Sequence, residues 1–266
     1  MRDTRLLHKT VIVTGAGSQG EGIGNGRATA ILMARSSARV ALLDSRIEAA
    51  ETTRKIIEAE GGTAIVIECD VADPAACGAA VEKSADQLGD TQVLVNNVGI
   101  GGPPGTAVDV DPLEWDRAMA INVKSMMLMA KYAIPHMIKA GGGAIVNMAS
   151  ITGVLGGFPD LFYPTSKAAV INMTRAMAAH HGKDGIRVNC IAPGLVYTPY
   201  VVGAGMSDEV REQRRLQTVL GTEGTAWDVG MAAVFLASDE ARWITGVTLP
   251  VDAGDSAIKL GVPFQR

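Results

Sequence analysis

Thr10-Val11-Ile12-Val13-Thr14-Gly15-Ala16-Gly17-Ser18-Gln19-Gly20-Glu21-Gly22-Ile23-Gly24-Asn25-Gly26 is the stretch that decides the fold. It opens as a short β-branched run, turns at Thr14-Gly15, and leads into a helical pattern from about Arg27. Glycines in such a turn let the backbone approach a pyrophosphate, and the following helix offers unpaired N–H groups and a positive dipole end. A literal Gly-x-Gly-x-x-Gly is present at Gly15, Gly17 and Gly20. That register would leave Gly22, Gly24 and Gly26 inside the helix, at about 1 kcal/mol each. The helix is therefore predicted to open at Gly22-Ile23-Gly24. A triphosphatase phosphate loop is excluded, because Gly182-Lys183 is followed by Asp184. A hydrolase elbow is excluded too, because Ala16 stands where Gly-x-Ser-x-Gly around Ser18 needs its first glycine.

Outward from this turn, short apolar runs alternate with longer helical patterns. Strands are predicted at Thr10–Thr14, Arg39–Leu43, Thr63–Glu68, Gln92–Val95, Ala144–Met148, Ile186–Ile191 and Val247–Val251. Helical periodicity covers Ile47–Glu60, Pro74–Leu88, Pro112–Ala140 and Tyr163–His181, and in the first of these Glu51→Lys55 and Arg54→Glu58 sit at salt-bridge spacing. Asp73-Pro74 is a cap followed by a first-turn proline. Near-continuous apolar strands such as Val11–Val13 and Val93–Val95 belong in a sheet covered on both faces. The reading is an α/β fold, a doubly wound seven-stranded parallel sheet with helices on both faces. No linker or internal repeat divides it, so residues 1–266 form one domain. A substrate loop is placed at about 193–220, with Pro193–Ser207 its most irregular part.

Composition narrows the class. The 266 residues are 47% apolar and 20% charged, with 31 glycines and a net charge of -4. No basic block marks a nucleic-acid footprint. Three cysteines, Cys69, Cys77 and Cys190, argue against a disulfide framework and for a reducing compartment. No signal peptide is read between Met1 and Lys9, and no run approaches the roughly 18 apolar residues of a membrane span. A cytoplasmic protein with no membrane or nucleic-acid partner is expected. His8, His136, His180 and His181 lack zinc spacing, so no metal site is expected. Met126, Met127 and Met129 read as core or subunit interface.

Asp44 closes the second strand, 20 residues after Gly24. An acidic residue there accepts from the adenosine ribose hydroxyls and repels a 2′-phosphate, which favours NAD over NADP. Arg46 pulls the other way, and Asp44 taken alone reads more readily as a cap for the next helix.

Tyr163 and Lys167 stand four apart at the start of a helical segment and share a face. A nearby ammonium favours the phenolate and is expected to lower the tyrosine pKa. A tyrosine so tuned can pass a proton to or from a substrate oxygen. Ser150, just past the Ala144–Met148 strand, lies where ligands sit in a parallel sheet and is placed to bind the same oxygen.

In order along the chain stand Thr14-Gly15, Gly22-Ile23-Gly24, Asp70-Val71, Asn96-Asn97-Val98-Gly99, Asn122, Ser150, Tyr163-x-x-x-Lys167, Pro193-Gly194 with Thr198, Thr245-Gly246 and Val251-Asp252-Ala253-Gly254. The sequence resembles a classical short-chain dehydrogenase/reductase over nearly its whole length. That resemblance implies hydride transfer between a secondary alcohol or ketone and NAD. It makes Tyr163 the general acid/base, Lys167 the ligand of the nicotinamide ribose, Ser150 the group that positions the substrate oxygen, and Asn122 the holder of a relay water. It also implies cofactor contacts from Gly15, Gly22, Ile23, Gly24, Asp70, Val71, Asn97, Gly99, Pro193, Gly194, Val196 and Thr198. Assembly as a homotetramer or homodimer would use the helices at about 112–140 and 163–181.

Three departures stand out. The glycine loop is three residues longer than the usual one, Val98 replaces the usual alanine, and Ala253 replaces a glycine. Phe158, Pro159, Leu161 and Phe162 are expected to wall an apolar pocket for a hydrophobic or cyclic alcohol. An NADPH-dependent 3-oxoacyl-carrier-protein reductase and a non-catalytic NAD-binding protein of the same fold remain as alternatives. An enoyl reductase is disfavoured by the four-residue Tyr–Lys spacing.

Overall fold

β1 (Thr10–Thr14) and β4 (Thr91–Asn96) pair parallel at the middle of the sheet, with Val11 opposite Val93. Both have apolar centres, Val11–Val13 and Val93–Val95, that are covered on both faces. The computed structural model describes residues 3–20, 22–203 and 205–258. The other strands of the main sheet are β2 (Arg39–Asp44), β3 (Thr63–Glu68), β5 (Gly143–Met148) and β6 (Ile186–Pro193). A separate two-residue pair, β7 (Val196–Tyr197) and β8 (Gly224–Thr225), precedes β9 (Thr248–Val251). The main sheet runs β3-β2-β1-β4-β5-β6-β9, and every pairing is parallel. The chain winds outward from β1 to β3, then returns to β4. The crevice beyond the carboxyl ends of β1 and β4 is thus the place where strand order reverses, the position at which open parallel sheets generally take their ligands.

Helices α1 (Asn25–Arg35), α2 (Ile47–Ala59), α3 (Pro74–Leu88), α4 (Pro112–Met119), α5 (Ser125–Lys139), α6 (Phe162–His181), α7 (Pro199–Gly203), α8 (Asp208–Gln217) and α9 (Ala226–Ala237) connect the strands. Alternate strand residues feed two cores. Val11, Val13, Val40 and Leu42 pack with Ile31, Met33, Val229 and Val234 on one face. Ile12, Ala41, Leu43 and Leu94 pack with Cys77, Val81, Met129 and Met137 on the other. The α3 cap is as predicted, with the Asp73 carboxylate accepting from Ala75 N–H at 2.8 Å and Pro74 in the first turn. The three cysteines are free and buried. Among the described residues, no helix is long and apolar enough to cross a membrane.

Four details differ from the sequence reading. α1 opens two residues early, at Asn25, with Gly24 as its N-cap, so Gly26 lies within the helix after all. Close packing is the reason, because a Cβ on Gly26 would collide with the Gly15 carbonyl. The predicted Pro112–Ala140 helix is interrupted by a π turn at Ala120–Lys124, which contains Asn122. Glu51 pairs with Arg54 at 2.7 Å rather than with Lys55. The region at about 193–220 is largely structured, holding β7, α7 and α8. α8 is capped by Ser207, and its exposed sequence gave no apolar stripe to read. Within that region Ala204 lies outside the described residues, as does Glu21 of the glycine turn.

Candidate active site

A cleft of ≈ 370 Å³ opens at the switch point, bordered by the exits of β1, β2, β3, β4 and β5, by α6 and by the start of α7. From the expected residues it gathers Gly15, Gly24, Asp44, Asp70, Val71, Asn97, Gly99, Tyr163, Lys167 and Thr198. Gly22, Ile23, Pro193, Gly194, Val196, Asn122 and Ser150 are not among the residues that line it. Gly194 donates its N–H to Val251 O at 3.0 Å, and a Cβ there would meet Asp252 at 2.5 Å, so it joins two segments of backbone. Val196 is buried in β7.

At the glycine-rich end the Asp44 carboxylate, 8% exposed, accepts from Gly17 N–H at 2.9 Å and from Arg46 N–H at 3.0 Å. Gly17 has no room for a side chain, since a Cβ would lie 2.6 Å from Ala49 Cβ and 2.9 Å from Asp44 Oδ2. Two N–H bonds leave carboxylate lone pairs free for hydroxyl donors. Arg46 bends away, with its Nη2 donating to Ser18 O at 3.3 Å and its Nε 3.9 Å from Asp44. Asn97 fastens the two central strand ends: its Nδ2 donates to Thr14 O and Gly15 O, and its N–H donates to Thr14 Oγ1.

Lys167 enters from α6 and is 4% exposed. Its Nζ donates to Met148 O at 3.1 Å, and a Cβ on Gly99 would stand 3.0 Å from it. Burial lowers its pKa to about 8. Tyr163, one turn earlier, lies with its ring centroid 5.5 Å from that Nζ. Its phenol is raised above the ordinary value, chiefly by burial; a hydrogen bond with Ser150 opposes the rise and Tyr200 adds to it. The expected lowering of Tyr163 by Lys167 is therefore corrected. Burial penalises both charged forms, and the ammonium is bonded to a backbone carbonyl rather than to the phenol. Ser150 also accepts from Thr152 N–H at 3.2 Å.

Asn122 is fully buried in the π turn, and both donors of its amide and one lone pair of its oxygen are used within the protein. Oδ1 accepts from Ile100 N–H at 2.8 Å, and Nδ2 donates to Ile100 O at 2.8 Å and to Ser166 Oγ at 3.1 Å. The side chain fixes the β4 exit loop that carries Gly99. Phe162 is also not a pocket wall. It is fully buried, edge-on to Trp115 at 5.3 Å, whereas Phe158 is 42% exposed and faces Tyr163 at 5.5 Å.

The residues present fit an extended dinucleotide. Ser18 Oγ borders the cleft buried and without a hydrogen-bond partner among the described residues. Gly24 N-caps α1 with no side-chain acceptor, leaving the helix's first N–H groups for an anion. Two of the three Lys167 N–H donors have no hydrogen bond to a described residue. Sequence reasoning missed Gly17, Ser18, Cys69, Ile100, Ile121, Met148, Ala149 and Tyr200 as cleft residues. Most of these follow directly from strand ends, the signal that could have found them. Tyr200 had none, because α7 is a single short turn.

A family model described as enoyl-(acyl carrier protein) reductase matches residues 18–256. The chain is 36% identical over 258 residues to 2-(S)-hydroxypropyl-CoM dehydrogenase 3 of Xanthobacter autotrophicus, covering 96% of this chain and 99% of that one. It is 36% identical over 253 residues to cis-4-hydroxycyclohexanecarboxylate dehydrogenase of Sinomonas cyclohexanicum, covering 95% and 98%. A 7α-hydroxysteroid dehydrogenase complexed with NADH and 7-oxo glycochenodeoxycholic acid superposes with a TM-score of 0.88 at 32% identity, over 95% of this chain and 96% of that one. The chain belongs to the short-chain dehydrogenase/reductase family. Its relatives named for an activity are dehydrogenases of hydroxylated compounds, which places it among the oxidoreductases.

Proposed function

We propose that the protein interconverts a secondary alcohol and a ketone with NAD(H). The observation that carries this reading is the convergence of Tyr163 and Lys167 on the cleft wall beside Gly99, with the Ser150 hydroxyl close enough to Tyr163 to lower its pKa. When bound, the nicotinamide supplies the hydride exchange. Tyr163 gives a proton to the ketone oxygen, or takes it from the alcohol. Its high phenol pKa keeps it protonated, ready to donate in the reductive direction. Ser150 orients the same oxygen by its hydroxyl. Lys167 directs its free N–H donors at the ribose hydroxyls, and charge gained on its ammonium favours the phenolate in the oxidative direction.

Asp44 is the ribose acceptor at the other end, and its charge disfavours a 2′-phosphate. The NADH in the hydroxysteroid dehydrogenase neighbour supports the same preference. An NADPH-dependent 3-oxoacyl reductase is the second reading, favoured only by Arg46 beside Asp44. The exposed apolar side chains of Leu113, Met127 and Ile138 on α4 and α5 support assembly into a homodimer or homotetramer through this face. The test is turnover of a panel of secondary alcohols with NAD and with NADP. Tyr163→Phe is expected to cut kcat about 10²–10⁴-fold while nucleotide binding persists. A fully active Tyr163→Phe protein, or no turnover of any alcohol, defeats the reading.

A further inference from the structure

The roof of the cleft holds a second phenol that the proposed reaction does not use. Tyr200 stands in α7, two residues past Thr198, and borders the cleft with Tyr163, Lys167, Gly99 and Ile100. Its turn is tied down by Val201 and Val202 N–H groups donating to Thr198 O, each at 3.0 Å. Neighbouring Pro199 rests over the glycine loop, where a Cβ on Gly22 would come 3.2 Å from Pro199 Cγ. The Tyr200 ring reaches to the loop after β4, and a Cβ on Gly101 would stand 2.9 Å from its hydroxyl oxygen. The absence of a side chain at Gly101 thus makes the space that this hydroxyl occupies.

The side chain is 48% exposed, and its hydroxyl makes no hydrogen bond to a described residue. A tyrosine in a binding cleft offers an apolar body and a polar tip that takes a partner once water is displaced. The phenol borders the same cleft as Tyr163, which is where the reacting oxygen would be held.

We propose that the Tyr200 hydroxyl donates a hydrogen bond to a second oxygen of the substrate while Tyr163 and Ser150 hold the reacting one, so that the protein prefers diols and hydroxyketones to compounds with a single oxygen. This rests on the reading of Tyr163 as the group that handles the reacting oxygen. A site built to bond a hydroxyl discriminates strongly against the analogue that lacks it, because its own polar group is then left unpaired.

The test is calorimetric titration of the NADH-loaded protein with cis-1,2-cyclohexanediol, cis-1,3-cyclohexanediol and cyclohexanol. Nucleotide and alcohol are both reduced, so binding is read without turnover. The expected result is that at least one diol binds about tenfold tighter than cyclohexanol. Tyr200→Phe abolishes that ratio by weakening the diol alone, and NADH affinity is unchanged. Gly101→Ala, which keeps the phenol but crowds its hydroxyl, lowers the ratio in the same direction. Wild-type protein that does not distinguish diol from cyclohexanol overturns the proposal. So does Tyr200→Phe leaving the ratio intact, weakening all three ligands alike, or weakening NADH itself. Failure of wild type to oxidise any of these alcohols with NAD would sink the dehydrogenase reading, and the reduced-complex titration would still decide the role of Tyr200.

Discussion

Lys167 Nζ donates to the Met148 carbonyl at 3.1 Å, tying α6 to the end of β5 at the wall of the cleft. The bond holds the ammonium in place but leaves it short of acceptors in a buried site, and its pKa drops from 10.5 to about 8. The consequence for stability has a definite sign. Between about 8 and 10.5 the unfolded chain binds a proton on this lysine that the folded chain does not, so this group makes stability rise with pH across that window. The full effect is roughly 3 kcal/mol. Urea unfolding of nucleotide-free protein from pH 7 to 10.5 should show wild type gaining on Lys167→Met as pH rises. Parallel pH profiles for the two proteins would show that Lys167 is charged throughout.

Asp44 provides the second prediction. Its carboxylate holds the Gly17 and Arg46 N–H groups and faces the cleft. On the proposed reading, Asp44→Ala removes both a ribose acceptor and the charge that repels a 2′-phosphate, while Arg46 remains. Nucleotide fluorescence titration should find NADH weakened about tenfold or more, with the NADH-to-NADPH preference moved toward NADPH by roughly 10²-fold. Asp44→Asn, which retains one acceptor, should fall between. An unchanged preference in both variants would remove Asp44 from cofactor selection.

The doubly wound sheet was legible because its strands are short apolar runs and its helices carry periodic stripes. The site was legible where it depends on spacing, as for Tyr163 and Lys167 on one helical face, or on a strand end, as for Asp44. Side-chain commitments that depend on tertiary contact were not. Nothing in the sequence says that Asn122 spends its amide on Ile100 and Ser166, or that Gly26 stays inside a helix because it abuts Gly15. α9 was not foreseen because it is apolar nearly all round, and α8 because it is polar nearly all round. The first pattern lacks a polar face to contrast with its apolar one, and the second has only Val210 and Leu216 as apolar residues. Tyr163's high pKa was missed because burial counts for more than a lysine whose Nζ is bonded elsewhere.

Phe158 and Phe162 should separate cleanly, although they lie four residues apart. Phe162 is fully buried against Trp115 and beneath Gly102. Phe162→Ala should cost about 3–5 kcal/mol of stability in urea unfolding. Phe158 is partly exposed and leans on the Tyr163 ring. Phe158→Ala should change stability by less than about 1 kcal/mol and act instead on KM, in proportion to the apolar bulk of the alcohol. A KM unchanged across small and bulky alcohols would mean that Phe158 does not touch substrate.

His136 makes a second pH-dependent contribution, of opposite sign to that of Lys167. It lies on α5 with Nδ1 3.0 Å from Asp90 and Nε2 3.2 Å from Glu82, joining α5 to α3 and to the turn before β4. Burial pulls its pKa down, but the hydrogen bonds to Asp90 and Glu82 and their charges outweigh it, and the net value is raised above 6.5. The protonated imidazole therefore stabilises the folded chain fully below 6.5, and the contribution is lost as pH rises through the raised folded value. The pair is partly exposed, so the effect should be no more than about 1 kcal/mol and should shrink in added salt. Thermal unfolding at pH 5.5 and pH 8.5 should show wild type above His136→Gln at the lower pH, with the gap closing at the higher one. Lys139, 3.0 Å from Asp90, keeps that carboxylate paired when the imidazole is neutral, so the loss at high pH should stay local and leave catalysis at the far end of the sheet unchanged. A gap that persists at pH 8.5 would mean that His136 acts through packing and not through its charge.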